Sequence, residues 1–153
     1  MKIKLCGLKR IEDIEAVNEA KPDYIGFIFV KKSRRYVPPE MAEQLKQHLN
    51  PDIEAVGVFV NEDIDKVIEQ VKKQVIDVIQ LHGEEDITYV KNLKKAVSVP
   101  IIKAISMTKP DAGQQIRMWE ISEVDYLLLD SGNGGTGEQF DYQLLQEIGN
   151  LKK

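Results

Sequence analysis

The chain has 153 residues, 42% hydrophobic and 30% charged, with a net charge of −4 at pH 7. That is enough for one domain (residues 1–153) with a real core, and the acidic balance argues against a dedicated nucleic-acid surface. A single cysteine, Cys6, excludes an intrachain disulfide, and no 18-residue apolar run offers a membrane span.

The N-terminal stretch MKIKLCGLKR lacks the apolar run of a signal peptide, so the expected setting is a reducing cytoplasm. Within it, Ile3 to Gly7 alternates apolar and polar residues and predicts a first strand ending at Cys6-Gly7. Ile11, Ile14 and Val17 then mark one face of a helix over 9–20. Tyr24 to Phe29 is a nearly all-apolar strand, as expected when both faces are covered in a parallel sheet. A basic loop, Lys31 to Tyr36, leads to Pro38-Pro39, which suits the first turn of a helix reaching about Leu49. Strand three is expected over 53–60, with Asn61 capping a helix over 62–73. Strand four (75–81) ends at His82-Gly83 and precedes a helix over 86–97. Strand five (100–105), a helix over 111–121 and strand six (124–129, ending at Asp130) follow. A glycine-rich loop, Ser131 to Gly137, precedes a last helix from Phe140 to about Ile148.

Strands alternating with helices imply a parallel α/β sheet joined by right-handed crossovers. The repeat is architectural, with no clear counterpart at the level of residues. Two architectures fit: an open doubly wound sheet, or most of a (β/α)8 barrel. Both place a site at the C-terminal ends of the strands. Those ends carry Cys6, Arg35, Asn61, His82 and Asp130, so one rim holds a thiol, a guanidinium, an imidazole and a carboxylate.

Each of these residues has a plainer reading. Cys6 could be a small buried hydrophobe, or a base if cationic neighbours lower its pKa; strict alternation turns Lys4 inward on the same side. Asp130 follows three leucines, where desolvation would favour a protonated general acid, or it could cap the glycine loop. His82 could bond a substrate or only hold its loop. Arg35 sits in a basic run, and such runs are usually solvated, but its planar fork suits a carboxylate or phosphate. The glycine loop lacks the GK[ST] ending of a P-loop and the spacing of GxGxxG.

The segments KLCGL, DYIGFIF followed by SRRYVPPE, VGVFVNE, DVIQLHGEE, IIKAI and LLLDSGNGGTGEQFD span essentially the whole chain. In that order the chain resembles the phosphoribosylanthranilate isomerase family of tryptophan biosynthesis, enzymes with a (β/α)8 barrel of the TIM type. The resemblance implies an acid–base Amadori rearrangement of a small phosphosugar-anthranilate substrate. It makes Cys6 the general base, Asp130 the general acid, Arg35 the ligand of the anthranilate carboxylate and His82 a substrate-holding residue. It implies no cofactor and no metal, and the sequence has no Cys/His cluster of metal-ligand spacing.

A complete barrel has eight strands and usually at least about 200 residues. These 153 residues supply six βα units, without the family's AGGL and SSG loops that hold the substrate phosphate. Strands one and six are therefore expected to present open edges, which favour association. The expectation is that another copy in a homo-oligomer or another chain covers them, or that nothing does; a smaller barrel closed between strands one and six conflicts with the coupling of strand number, tilt and shear. The competing function is an inactive partial barrel acting at most as a binding or assembly module. Another phosphosugar enzyme or a flavodoxin-like binder would not need Cys6, QLHG and GGTG together.

Overall fold

The structure, a computed structural model, describes residues 1–131 and 151. Among these residues six strands alternate with five helices: β1 (Lys4–Cys6), α1 (Ile11–Ala20), β2 (Tyr24–Ile28), α2 (Pro39–His48), β3 (Glu54–Phe59), α3 (Ile64–Lys72), β4 (Val78–Leu81), α4 (Ile87–Ala96), β5 (Ile101–Ser106), α5 (Ala112–Glu120) and β6 (Tyr126–Asp130). The glycine loop from Gly132 onward and the last predicted helix lie outside the described residues.

The helix ends follow from local hydrogen bonding. The Asp13 carboxylate accepts the Lys9 and Arg10 N–H groups at 2.9 and 3.0 Å, so α1 starts at Ile11 rather than Lys9. Pro39 opens α2 in the first turn, where its missing N–H costs nothing. Asn61 does not cap α3. It takes a left-handed φ of 50° in the loop before it, and Asp63 is the cap, accepting from the Asp65 N–H. Asp86 caps α4 by accepting from the Tyr89 N–H at 2.8 Å.

All five strand pairings are parallel, and the spatial order is the chain order, β1-β2-β3-β4-β5-β6. A doubly wound sheet reverses its order at a switch point; this one never does, so right-handed crossovers put every helix on one face. Alternation then separates two layers. Ile25, Phe27, Ala55, Phe59, Ile79, Leu81, Ile101 and Ile105 face the helices and form the main core with Ile14, Leu45, Val67, Val90 and Ile116. Lys4, Cys6, Gly26, Val56, Val58, Val78, Gln80, Ala104 and Asp130 alternate with them on the concave side. Lys4 bonds Gln80 although β1 and β4 are not neighbours, which requires the sheet to curl toward itself. The result is a barrel wall of six strands whose two edges, β1 and β6, do not pair with each other.

The foot of the wall carries a repeat at the level of residues that the sequence reading did not find. Asp23, Asp77 and Asp125 stand just before β2, β4 and β6. Each accepts a backbone N–H from the start of the preceding strand: Ile3 at 2.7 Å, Ala55 at 2.7 Å and Ile101 at 2.6 Å. Lys46 of α2 and Lys94 of α4 pair with the second and third of these carboxylates. Bonds of this kind suit the N-terminal face, the end of a barrel opposite its chemistry, where residues serve stability.

Candidate active site

The C-terminal rim of the wall has two parts. The first is a polar chain crossing the concave side. The Lys4 ammonium donates to Gln80 Oε1, the Gln80 amide lies 2.9 Å from His82 Nδ1, and His82 Nε2 lies 3.3 Å from Asp130 Oδ2. Gln80 is 2% exposed, so its amide depends on these partners. His82 follows β4 directly and continues its ladder through an N–H bond to the Phe59 carbonyl at 2.8 Å. Burial pulls Lys4 below its ordinary value, opposed by the nearby Cys6 side chain. The sequence reading named His82 and Asp130 but missed Gln80. Its signal was a lone polar residue in the apolar strand VIQL, two places before His82 and therefore on the same face.

The second part lies at the β1 edge. Cys6 ends β1 opposite Gly26 of β2 and is half-buried. Any side chain at Gly26 would collide with the Cys6 sulfur, so the glycine makes room for the thiol on the concave side. Gly7 has a φ of 92°, a conformation that favours glycine, and its N–H bonds the Gly26 carbonyl at 2.8 Å. The aliphatic stem of Arg35 lies across Gly7, which brings the guanidinium's own residue next to Cys6. Arg35 is exposed; its loop returns to the sheet through Tyr36, which bridges Ile28. The structure thus lays Arg35 across Gly7, the residue after Cys6, and pairs His82 with Asp130. Lys4 and Gln80 link β1, the strand that carries Cys6, to His82.

Asn61 is a loop anchor. Its N–H and that of Gly83 both reach the Glu85 carboxylate, at 2.8 and 3.0 Å, and its own Oδ1 accepts from the Glu84 N–H. Lys103 of β5 completes the knot, donating to Glu85 at 2.8 Å and to the Gly83 carbonyl at 2.6 Å, with the Glu85 side chain 1% exposed. This knot holds the loop that carries His82. Beside it a cleft of about 600 Å³ opens, with His82, Ser106, Lys109 and Asp130 in its walls. That is in the range of small-molecule sites. Among the described residues, no group of three or more His, Cys, Asp or Glu side chains is placed to hold a metal ion.

Residues 3–152 match the family model of N-(5'-phosphoribosyl)anthranilate (PRA) isomerase. The chain belongs to the PRA isomerase family. It is 42% identical over 151 residues to N-(5'-phosphoribosyl)anthranilate isomerase of Clostridium acetobutylicum, an alignment covering 96% of this chain and 70% of the relative. It is 40% identical over 152 residues to that of Lachnoclostridium phytofermentans, covering 97% of this chain and 68% of the relative. The fold agrees. The phosphoribosyl anthranilate isomerase of Thermotoga maritima superposes with a TM-score of 0.82 at 31% identity, over 95% of this chain and 70% of that one. A further PRA isomerase structure, solved in complex with reduced 1-(o-carboxyphenylamino)-1-deoxyribulose 5-phosphate, superposes with a TM-score of 0.80 at 29% identity. It covers 96% of this chain and 69% of that chain. Between the two architectures left open by the sequence, the barrel is therefore the fold of this PRA isomerase family member.

Proposed function

We propose that the protein is an intramolecular isomerase of tryptophan biosynthesis, converting N-(5-phosphoribosyl)anthranilate to 1-(2-carboxyphenylamino)-1-deoxyribulose 5-phosphate. Family membership over residues 3–152 carries this reading, and the relative holding a reduced form of that product supports it. The setting is the cytoplasm, the partner a small molecule. Among the described residues no helix is long and apolar enough to cross a membrane. The whole of residues 1–153 acts as one barrel-type domain.

Asp130 is the general acid: its carboxyl gives a proton to the furanose ring oxygen as the C1–O bond breaks, leaving a Schiff base at C1. Cys6 is the general base: its thiolate takes the C2 proton, and the electron pair moves toward nitrogen to give an enolamine. Tautomerisation of the enolamine to the 2-ketose returns a proton to C1, so the net reaction neither consumes nor releases protons. Both side chains point to the concave side of the wall, Cys6 from β1 and Asp130 from β6. Arg35 binds the anthranilate carboxylate by its planar fork, and His82 holds the substrate next to Asp130.

The test is turnover of freshly made phosphoribosylanthranilate by the 153-residue chain, followed by loss of anthranilate-type fluorescence. Turnover that falls by at least about 100-fold in both Cys6→Ser and Asp130→Asn is the expected result for an acid and a base. A folded sample with no turnover, or variants as active as wild type, would overturn the activity or the residue assignment respectively.

A further inference from the structure

We propose that Lys4 and Gln80 are positioning residues that hold His82 in its Nε2–H tautomer, with that N–H turned toward Asp130. The tautomer follows from hydrogen-bond chemistry. An ammonium has three donors and no acceptor, so the Gln80 atom that meets Lys4 is the carbonyl oxygen, Oε1. That leaves the Gln80 NH2 facing His82 Nδ1 at 2.9 Å. An NH2 group only donates, so Nδ1 is the accepting nitrogen and the neutral ring carries its proton on Nε2. Nε2 is the atom 3.3 Å from Asp130 Oδ2. Reversing the amide would set NH2 against the Lys4 ammonium, donor against donor.

Lys4 thus acts at a distance. It stands on β1, two residues before Cys6, and orients an amide on β4, which selects the tautomer of a histidine that faces a carboxylate on β6. The chain of bonds therefore runs from Lys4 on β1, the strand that carries Cys6, to Asp130 on β6. Its catalytic meaning rests on Asp130 being the acid, as proposed above; the tautomer itself does not.

The protein contains a built-in reference. It has two histidines, His48 and His82. His48 Nδ1 lies 2.9 Å from the Gln44 carbonyl oxygen, which only accepts, so His48 is the Nδ1–H tautomer. The two rings should be opposite. The experiment is a long-range 1H–15N correlation spectrum of the 15N-labelled full chain at about pH 8.5, above the imidazole range, with His48→Gln to assign the signals. We expect a pyridine-type Nδ1 and pyrrole-type Nε2 for His82, and the reverse for His48. Gln80→Glu, which offers Nδ1 an acceptor, should place a proton on His82 Nδ1. Lys4→Met, which frees the amide to turn over, should give a mixture. If the chain turns over phosphoribosylanthranilate, Gln80→Glu should also lower kcat by about 100-fold with KM little changed. An Nδ1–H signal for His82 in the wild type would overturn the proposal, as would a pyridine-type Nδ1 that survives Gln80→Glu. The wild-type and Lys4→Met spectra decide if Gln80→Glu does not fold. A chain without turnover but with the expected opposite tautomers would defeat the isomerase reading and leave this one standing.

Discussion

Glu85 and Asp13 do the same job at two ends of the rim and do it in different surroundings. Each is a carboxylate that accepts two backbone N–H groups and one cationic side chain. Glu85 takes those of Asn61 and Gly83 with Lys103. Asp13 takes those of Lys9 and Arg10 with the Arg10 guanidinium at 2.8 Å. Glu85 and Lys103 have side chains only 1% and 5% exposed, whereas Arg10 is 72% exposed. The loop carrying His82 is therefore fixed by a knot that water does not reach. The loop after Cys6 and Gly7 is tied by one that water competes for. Equal geometry with unequal burial means unequal consequences when a partner is removed.

Breaking the buried knot should give the largest effect. Glu85→Ala leaves the Lys103 ammonium buried and unpaired, and should cost about 3–5 kcal/mol in urea unfolding. Replacing both partners with apolar residues of similar size, Glu85→Leu with Lys103→Met, should recover most of that loss, because no uncompensated charge remains. Next comes Gly26→Ala, which forces a methyl group onto the Cys6 sulfur. A cost of about 1–3 kcal/mol is expected, and the thiol's reactivity toward a small alkylating reagent should change with it. Asp13→Ala should cost less, about 1 kcal/mol, as for removal of an ordinary helix cap. If it cost as much as Glu85→Ala, burial would not be what separates the two ends.

The smallest effect is one of pH. Arg10 and the Lys9 and Arg10 N–H groups hold the Asp13 carboxyl at about 2, below its ordinary 3.8. The charged form is the one favoured by folding, so its small contribution is fully present above pH 3.8 and fades as pH falls through about 2. A carboxyl 13C titration should place the Asp13 midpoint there, and a midpoint at the ordinary value would mean that the exposed tie is not formed in solution.

The sequence reading and the structure agree where burial does the deciding. Apolar runs such as YIGFI and VIQL mark the strands because both their faces are covered. Boundaries were misplaced where a side chain takes over a backbone bond. Asp13 removes Lys9 and Arg10 from α1, and Asp63 takes the cap expected of Asn61. The ends of strands named Cys6, Arg35, His82 and Asp130, since a parallel sheet displays its chemistry there. The pairing of His82 with Asp130 was not legible, because β5 separates their strands and only register and curl bring them together. Lys4 and Gln80 read as ordinary strand residues for the same reason. Lys103 carried a signal, a lone cation in the apolar strand IIKAI, that pointed to a buried partner without naming Glu85.

The aspartates at the foot of the wall bear on how the chain opens. Asp23 ties β2 to the start of β1, Asp77 ties β4 to the start of β3, and Asp125 ties β6 to the start of β5. Between β2 and β3, and between β4 and β5, the described residues show backbone pairing without such a stitch. A wall sewn in twos comes apart in twos: its native-state amide exchange should group by strand pair, with each aspartate setting the protection of both strands that it joins. The three carboxylates then act as the seams of three cooperative blocks, each made of two strands and the helix between them.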